Sequence, residues 1–372
     1  MKIVPHKKNR GVVVIIVLVV VTLLTIFAGL FAYSMQIETR LAFNTNNDEQ
    51  LLWLGRGGVE FARWILAQEG NQPFDCLAQI WAGGPGMGSE TNGPLMGIQM
   101  DHVQIGDNYV SVKIIDLERK ININTANDAL LRQVLTAQGA DAGDISTVAD
   151  SIQDWIDTDD ATRPAGAESD FYQGKSPPYY AKNGPMDDID ELLLVNGVTP
   201  DMFNGGNSAN AQDSTFQHHQ LGFGHAPGEA PTYAFGLKDV FTPFSSGKIN
   251  INTADLTVLQ LIPGMDTTSA QQLMKFRAGP DGEEGTGDDT PFVSVNQAAS
   301  AGISPQAAQQ LGTYATTKST VFEVHVTAHI GNYSREFIAV LFRHGPNVDT
   351  VRFYWESSGG ASQTVLTPAP VQ

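Results

Sequence analysis

The chain is 372 residues long, 42% apolar and 17% charged, which suits about two or three packed domains and excludes a disordered chain. Lysine and arginine total 22 against 40 acidic residues, for a formal charge of −18, so a general polyanion binder is disfavoured and a divalent cation or a basic partner fits better. The single cysteine, Cys76, excludes an intrachain disulfide and any multi-cysteine zinc or iron–sulfur site.

The N-terminal stretch MKIVPHKKNR carries Lys2, Lys7, Lys8 and Arg10 and no acid, and residues 11–37 carry no charge. This apolar run exceeds the roughly 20 residues that a membrane-spanning helix needs. It also exceeds the roughly 7–15-residue apolar region of a cleaved secretory signal. The basic flank keeps the N-terminus in the cytoplasm and places everything after Glu38 across the membrane. Arg10-Gly11 stands immediately before the apolar run, so a cut after Gly11 would leave Val12 as a new N-terminus. The junction resembles the leaders of type IV pilins and pseudopilins, which a prepilin peptidase processes. Most of those proteins carry a glutamate at the fifth mature position; here that position is Ile16.

Leu41, Leu51, Leu52, Leu54, Val59, Phe61, Ala62, Ile65 and Leu66 recur at three- and four-residue spacings among charged residues, so the helix continues past the membrane as an amphipathic one. Gly55, Gly57 and Gly58 predict a bend or break, and Asn71-Gln72-Pro73 ends the pattern. His102 to Glu118 reads as strands, with Tyr109, Ser111, Lys113 and Ile115 alternating with Val110, Val112, Ile114 and Asp116. Two further runs, VFEVHVTAHI and YSREFIAVLFRH, meet at a Gly331-Asn332 hairpin, and residues 349–356 add a last strand.

The segment between these strands contains a repeat. KININTA stands at 120–126 and again at 248–254, and Leu130, Leu131 and Val134 match Val258, Leu259 and Ile262 in spacing. Each copy closes with a comparable unit, at 185–203 and at 291–311. Asn122, Asn124 and Thr125 in one copy, with Asn250, Asn252 and Thr253 in the other, predict a turn whose asparagines bond nearby backbone and whose threonine caps a helix. The sequence resembles the helix-hairpin-helix family, many of whose members bind DNA through amides of a Gly-x-Gly turn. In the second copy that turn reads Ile262-Pro263-Gly264-Met265-Asp266, with an aspartate at the second glycine, and the first copy offers Gln138-Gly139-Ala140-Asp141. Residues 120–315 carry 25 acids against 9 lysines and arginines, so a phosphate backbone would meet repulsion and nucleic acid is an unlikely partner on charge alone. His218 and His219, side by side in a glycine- and glutamine-rich stretch, read as loop.

Two acidic stretches interrupt the copies. The first offers Asp157, Asp159, Asp160, Glu168 and Asp170; the second offers Asp281, Glu283, Asp288 and Asp289. Clustered carboxylates beside glycine or proline suit calcium, which takes six to eight oxygen ligands from a flexible loop. One or two calcium ions are expected. Asp157, Asp159 and Glu168 fall at positions 1, 3 and 12 of an EF-hand register, but Thr162 stands where that loop needs glycine, so this is not an EF-hand.

Taken together, the basic leader ending at Gly11, Ile16 in place of glutamate, the long first helix, the split sheet and an insertion carrying Asn-Ile-Asn-Thr-Ala resemble the K-type minor pseudopilins of bacterial type II secretion systems. The acidic segment DWIDTDDATRPAGAESDFY resembles that family's acidic loop. The resemblance implies an α+β, pilin-like fold: a transmembrane helix, an antiparallel sheet and a large inserted α-helical domain of two helix-hairpin-helix-like repeats. It implies a leader at 1–11, a transmembrane helix at 12–36, the helix and first strands at 37–119, and the insertion at 120–316 with repeats at 120–203 and 248–311. The remaining strands fall at 317–357 and a tail at 358–372. It further implies a non-enzymatic subunit at the pseudopilus tip in the bacterial inner membrane, with its bulk in the periplasm. The partners would be I- and J-type minor pseudopilins and the inner-membrane assembly platform. The alternatives are a membrane-anchored DNA receptor and a minor pilin of a type IV pilus.

Overall fold

In the computed structural model, the structure describes residues 10–87, 90, 92–206, 233–356 and 362–364; His218 and His219, the leader up to Asn9 and most of the tail lie outside them. The chain begins with α1 (Arg10–Gln68), a single helix of 59 residues. Its Val13–Glu38 portion, 26 residues with a mean hydropathy of 3.2, is long and apolar enough to cross a membrane, and none of its most apolar stretch is buried against protein. Gly11 and Val12 lie in the first turn, and Ile16 follows with its side chain exposed.

The helix does not break at the glycines. A Cβ at Gly55 would lie 2.5 Å from Cδ2 of Phe337, and one at Gly58 would lie 2.4 Å from Cγ1 of Val326. These glycines let the helix backbone lie directly on the sheet, and that contact supports an unbroken helix through them. Leu51, Leu54, Val59, Ala62, Ile65 and Leu66 bury the same face, as the spacing of apolar positions predicts.

Two strands follow, β1 (Val103–Ile105) and β2 (Asn108–Asp116). In β2, Val110, Val112, Ile114 and Asp116 are buried while the alternate residues are not, as the period of two requires. The insertion then supplies β3 (Ile121–Asn122), α2 (Asp128–Gln138), α3 (Ala142–Ile156), α4 (Ser169–Gln173), α5 (Pro200–Asn204), α6 (Leu237–Val240) and β4 (Phe241–Thr242). It continues with β5 (Ile249–Asn250), α7 (Leu256–Leu261), α8 (Thr267–Arg277), α9 (Pro305–Tyr314) and β6 (Ala315–Thr316). The chain ends in β7 (Val321–Ile330), β8 (Tyr333–His344), β9 (Asn347–Glu356) and β10 (Ser362–Thr364). One antiparallel sheet runs β1-β2-β7-β8-β9-β10. Because β2 pairs with β7 from Tyr109↔His329 to Asp116↔Phe322, the insertion leaves and re-enters at one end of the sheet.

The repeat is visible as matched hydrogen bonding. Each KININTA segment opens with a short strand in a parallel ladder, β3 with β4 and β5 with β6. Asn122 accepts from the amide of Asn124 at 2.9 Å, and Asn250 accepts from that of Asn252 at 3.0 Å. Asn124 then pairs both ways with the backbone of Met186 (2.7 and 3.0 Å), and Asn252 does the same with Phe292 (2.8 and 3.0 Å). The amide side chain serves here as a peptide group, tying the start of each copy to its closing unit. The threonine caps are not formed. Thr125 and Thr253 donate to the carbonyls of Asn122 and Asn250, three residues back, each at 3.4 Å, and the helices are capped two residues later by Asn127 and Asp255. Asp266, at the second-glycine position, caps α8 through Ser269 at 2.8 Å. The two copies share one apolar core that includes Leu131, Val134, Trp155, Val258, Leu259 and Phe292.

A buried polar plug joins insertion and sheet. Asp116 accepts from Thr253 (2.5 Å), Ser319 (2.6 Å) and Asn250 (3.2 Å), and burial, then nearby Glu118, pushes its carboxyl up. Arg343 forms a fully buried ion pair with Asp75, just past the end of α1, and donates to the Ser319 carbonyl at 2.7 Å. Nearby Glu69 is 1% exposed with neither carboxylate oxygen hydrogen-bonded. Burial, then Glu90 and Asp75, push its carboxyl up to about 9. A carboxyl raised in the folded state holds its proton while the unfolded chain loses it near pH 4.5, so its contribution to stability declines from there to about pH 9. Glu69→Gln should therefore flatten the melting-temperature profile and melt higher than the parent at pH 8. Superimposable profiles would sink the assignment.

Candidate metal centre

The first acidic loop is built on the end of α3. Asp154 is fully buried and accepts from the Arg163 amide at 3.2 Å, and Asp150 accepts from the Ala165 amide at 3.0 Å while pairing with Arg132 at 2.5 Å. The loop is thereby folded back onto the helix that precedes it. Gly166 is required at the closest approach, since a Cβ there would fall 2.0 Å from Asp154 Oδ2. Beneath the loop, Trp155, Tyr172 and Tyr179 form an aromatic wall, with Trp155 edge-on to Tyr172 at 5.3 Å.

This folding brings one carboxylate oxygen each from Asp157, Asp159 and Glu168 within 4.8 Å of one another. Glu168 is 3% exposed, and both its oxygens, like Asp157 Oδ1, lack a hydrogen-bond partner. Orphaned buried carboxylate oxygens cost free energy unless a cation or a proton meets them. Burial, then Asp154, Asp157, Asp160 and Asp159, push the Glu168 carboxyl up to about 7. Burial likewise pushes Asp154 up. The donors are all hard oxygens, and Asp159 stands at the exposed side where water can complete the shell. Such a set fits calcium and offers nothing to a metal that wants sulfur or imidazole.

The other candidates are placed differently. Asp160 is exposed and accepts from Asn183 at 2.8 Å, and Asp170 is exposed in the first turn of α4. In the second loop the carboxylates bond their own turn: Asp281 accepts from the Glu283 amide (2.8 Å) and Asp289 from the Gly285 amide (2.8 Å). Asp288 accepts from Thr286 at 2.8 Å, which pulls its carboxyl down. Glu283 does not join a cluster there; among the described residues, Asp157, Asp159 and Glu168 are the group with metal-holding geometry. Arg163 escaped the sequence reading, and Asp154, which heads the acidic stretch, was not counted among its candidate ligands. Arg163 lies 3.3 Å from Asp154 and 3.0 Å from Asp157. Asp154 stands one helical turn before Asp157, a signal that was available in the spacing.

Comparison with known proteins agrees with this architecture. The family model described as type II secretion system (T2SS), protein K, matches residues 112–205, which include the first repeat and the acidic loop. Type II secretion system protein K of Aeromonas hydrophila is 28% identical over 207 residues, covering 53% of this chain and 61% of that protein. A putative type II secretion system protein K of Escherichia coli K12 is 26% identical, with the same shares covered. The chain thus spans about three fifths of the length of these curated relatives. The fold is similar to a chain of the crystal structure of the GspK-GspI-GspJ complex from the enterotoxigenic E. coli type 2 secretion system. That match has a TM-score of 0.60 at 18% identity and covers 85% of this chain and 99% of that one. Over residues 112–205 the chain is similar to protein K of type II secretion systems, and its overall fold is similar to that of the solved chain.

Proposed function

We propose that this protein is a non-enzymatic minor pseudopilin at the tip of the type II secretion pseudopilus. There it joins the I- and J-type minor pseudopilins and primes fibre assembly on the inner-membrane platform for protein export. The observation that carries this reading is the position of the insertion. Arg335 of the sheet pairs with Asp48 early in the soluble part of α1, whereas Lys318, beside the insertion, donates to the carbonyls of Gly70 and Gln72 past its end. The bulky insertion therefore lies at the end of the sheet away from the apolar span, where a tip leaves room and a packed shaft does not. Ile16 supports the same place. A carboxylate there would neutralise the terminal amine of a neighbour within the membrane, and a subunit with no neighbour above it has no such amine to meet.

The GspK-GspI-GspJ complex, as named for the similar structure, supports I- and J-type partners. The basic leader supports an N-terminus in the cytoplasm, with the bulk of the chain in the periplasm. The acidic insertion opposes the DNA-receptor alternative, since 25 acids face 9 bases over residues 120–315. We also assign the Asp157–Asp159–Glu168 group to calcium, which when bound would supply positive charge to those oxygens and so lock the loop. Asp160 and Asp170 lie within reach in sequence but bring no ligand oxygen to the group. In one experiment the full chain is expressed with I- and J-type pseudopilins, with and without a prepilin peptidase. Loss of residues 1–11 by mass only with the peptidase, and co-purification with both partners in detergent, are expected. An intact N-terminus in both cases, or a chain that purifies alone, would overturn the assignment.

A further inference from the structure

Arg163 stands inside the acidic loop. Its guanidinium reaches Asp157 Oδ2 at 3.0 Å and lies 3.3 Å from Asp154 Oδ1, while its own backbone amide also bonds Asp154. Asp157 is one of the three carboxylates that converge, so one ligand is already spent on an internal cation. The other buried oxygens, both of Glu168 and Oδ1 of Asp157, are unspent. The side chain is 40% exposed, so it has an open path to leave the loop while its backbone stays pinned.

We propose that Arg163 is a resident counter-cation: its guanidinium holds the loop folded in the absence of metal and leaves Asp157 and Asp154 when a divalent cation enters, so that it sets the affinity of the site by competition. The inference rests on the calcium reading of the loop. It extends that reading by assigning a threshold: a cation must displace a tethered charge before it gains the full carboxylate set. A charge held on the same chain competes at a fixed, high effective concentration. The consequence is a site that stays folded when calcium is scarce and fills only when calcium is plentiful.

The test uses the full chain in detergent, titrated calorimetrically with calcium chloride and melted with calcium or with chelator. Arg163→Gln should bind calcium about tenfold more tightly than the parent, close to 1.4 kcal/mol. It should melt lower than the parent in chelator yet at the same temperature in calcium. Arg163→Lys, which keeps a charge but cannot fork across two carboxylates, should fall between the two in affinity and serves where Arg163→Gln does not fold. Equal affinities in parent and variants would reject competition. Weaker binding by Arg163→Gln, with a lower melting temperature in calcium too, would make Arg163 part of the loaded loop and overturn the proposal. No heat and no calcium-dependent shift in parent or variants would instead overturn the calcium assignment beneath it.

Discussion

Replacing Gly55 and Gly58 together by alanine should destabilise the soluble part by up to about 4 kcal/mol. Each alanine gains roughly 1 kcal/mol of helix propensity over glycine, which on an exposed helix would stabilise. Here each methyl must enter space already held by Phe337 or Val326, at 2.5 and 2.4 Å, and overpacking of a filled core costs about 1–3 kcal/mol per site. The clash wins because neither neighbour is the loose end of a long side chain. Phe337 and Val326 are both fully buried, and Phe337 stacks on Phe353 at 5.6 Å. The measurement is denaturant unfolding in detergent followed by tryptophan fluorescence, since Trp81 sits in this same core against Phe322. Gly29→Ala is the control, because a Cβ there meets nothing within 4 Å. A double variant as stable as that control would refute direct contact of backbone and sheet.

Asn252→Ala should cost about 3–5 kcal/mol, the larger effect expected of a single truncation in the insertion. The change leaves both the amide and the carbonyl of Phe292 unpaired, each worth about 1–3 kcal/mol when buried, and opens a cavity in addition. Asn252 is 2% exposed. Asn124 makes the same paired bonds to Met186 but is only half-buried, so water can replace part of what is lost. Asn124→Ala should cost roughly 1–2 kcal/mol. Asn252→Asp offers a sharper probe. It keeps the acceptor, loses the donor to the Phe292 carbonyl and buries a carboxylate, so it should be no better than alanine near neutral pH. Thermal melts of the three variants suffice. Equal small losses at both positions would mean that the asparagines are not mimicking peptide groups.

These comparisons show what was legible in the sequence. An identical heptapeptide twice in one chain announced two matching turns, and Asn124 and Asn252 make matching pairs of bonds, to Met186 and Phe292. The alternation in β2 and the Gly331-Asn332 turn between β7 and β8 were readable because both are local patterns. Thr125 and Thr253 were misread as caps. A threonine before a helix is a good capping residue, but Asn127 and Asp255 stand nearer and point an oxygen at the first turn. The glycines of α1 were misread as a weakness for a related reason. Propensity is a property of the isolated helix, and the side chains that fill the space beside Gly55 and Gly58, Phe337 and Val326, come from far along the chain. The acidic loop was visible as composition. Its selection of Asp157, Asp159 and Glu168, and the intrusion of Arg163, depended on how Asp150 and Asp154 draw the loop back.

The plug around Asp116 bears on mechanics. Asp75 follows the end of α1, and its ion pair to Arg343 and the bond its carbonyl accepts from Asn250 tie the chain leaving the helix to sheet and second repeat at one buried point. Arg352 of β9 adds a strut to Asp188 in the first repeat at 3.1 Å. Force applied along the helix axis from the membrane side would therefore reach the insertion through the turn after Gln68, which Lys318 clamps at Gly70 and Gln72, and through this buried junction. In the proposed tip placement, a fibre lengthening from below would push first on this junction.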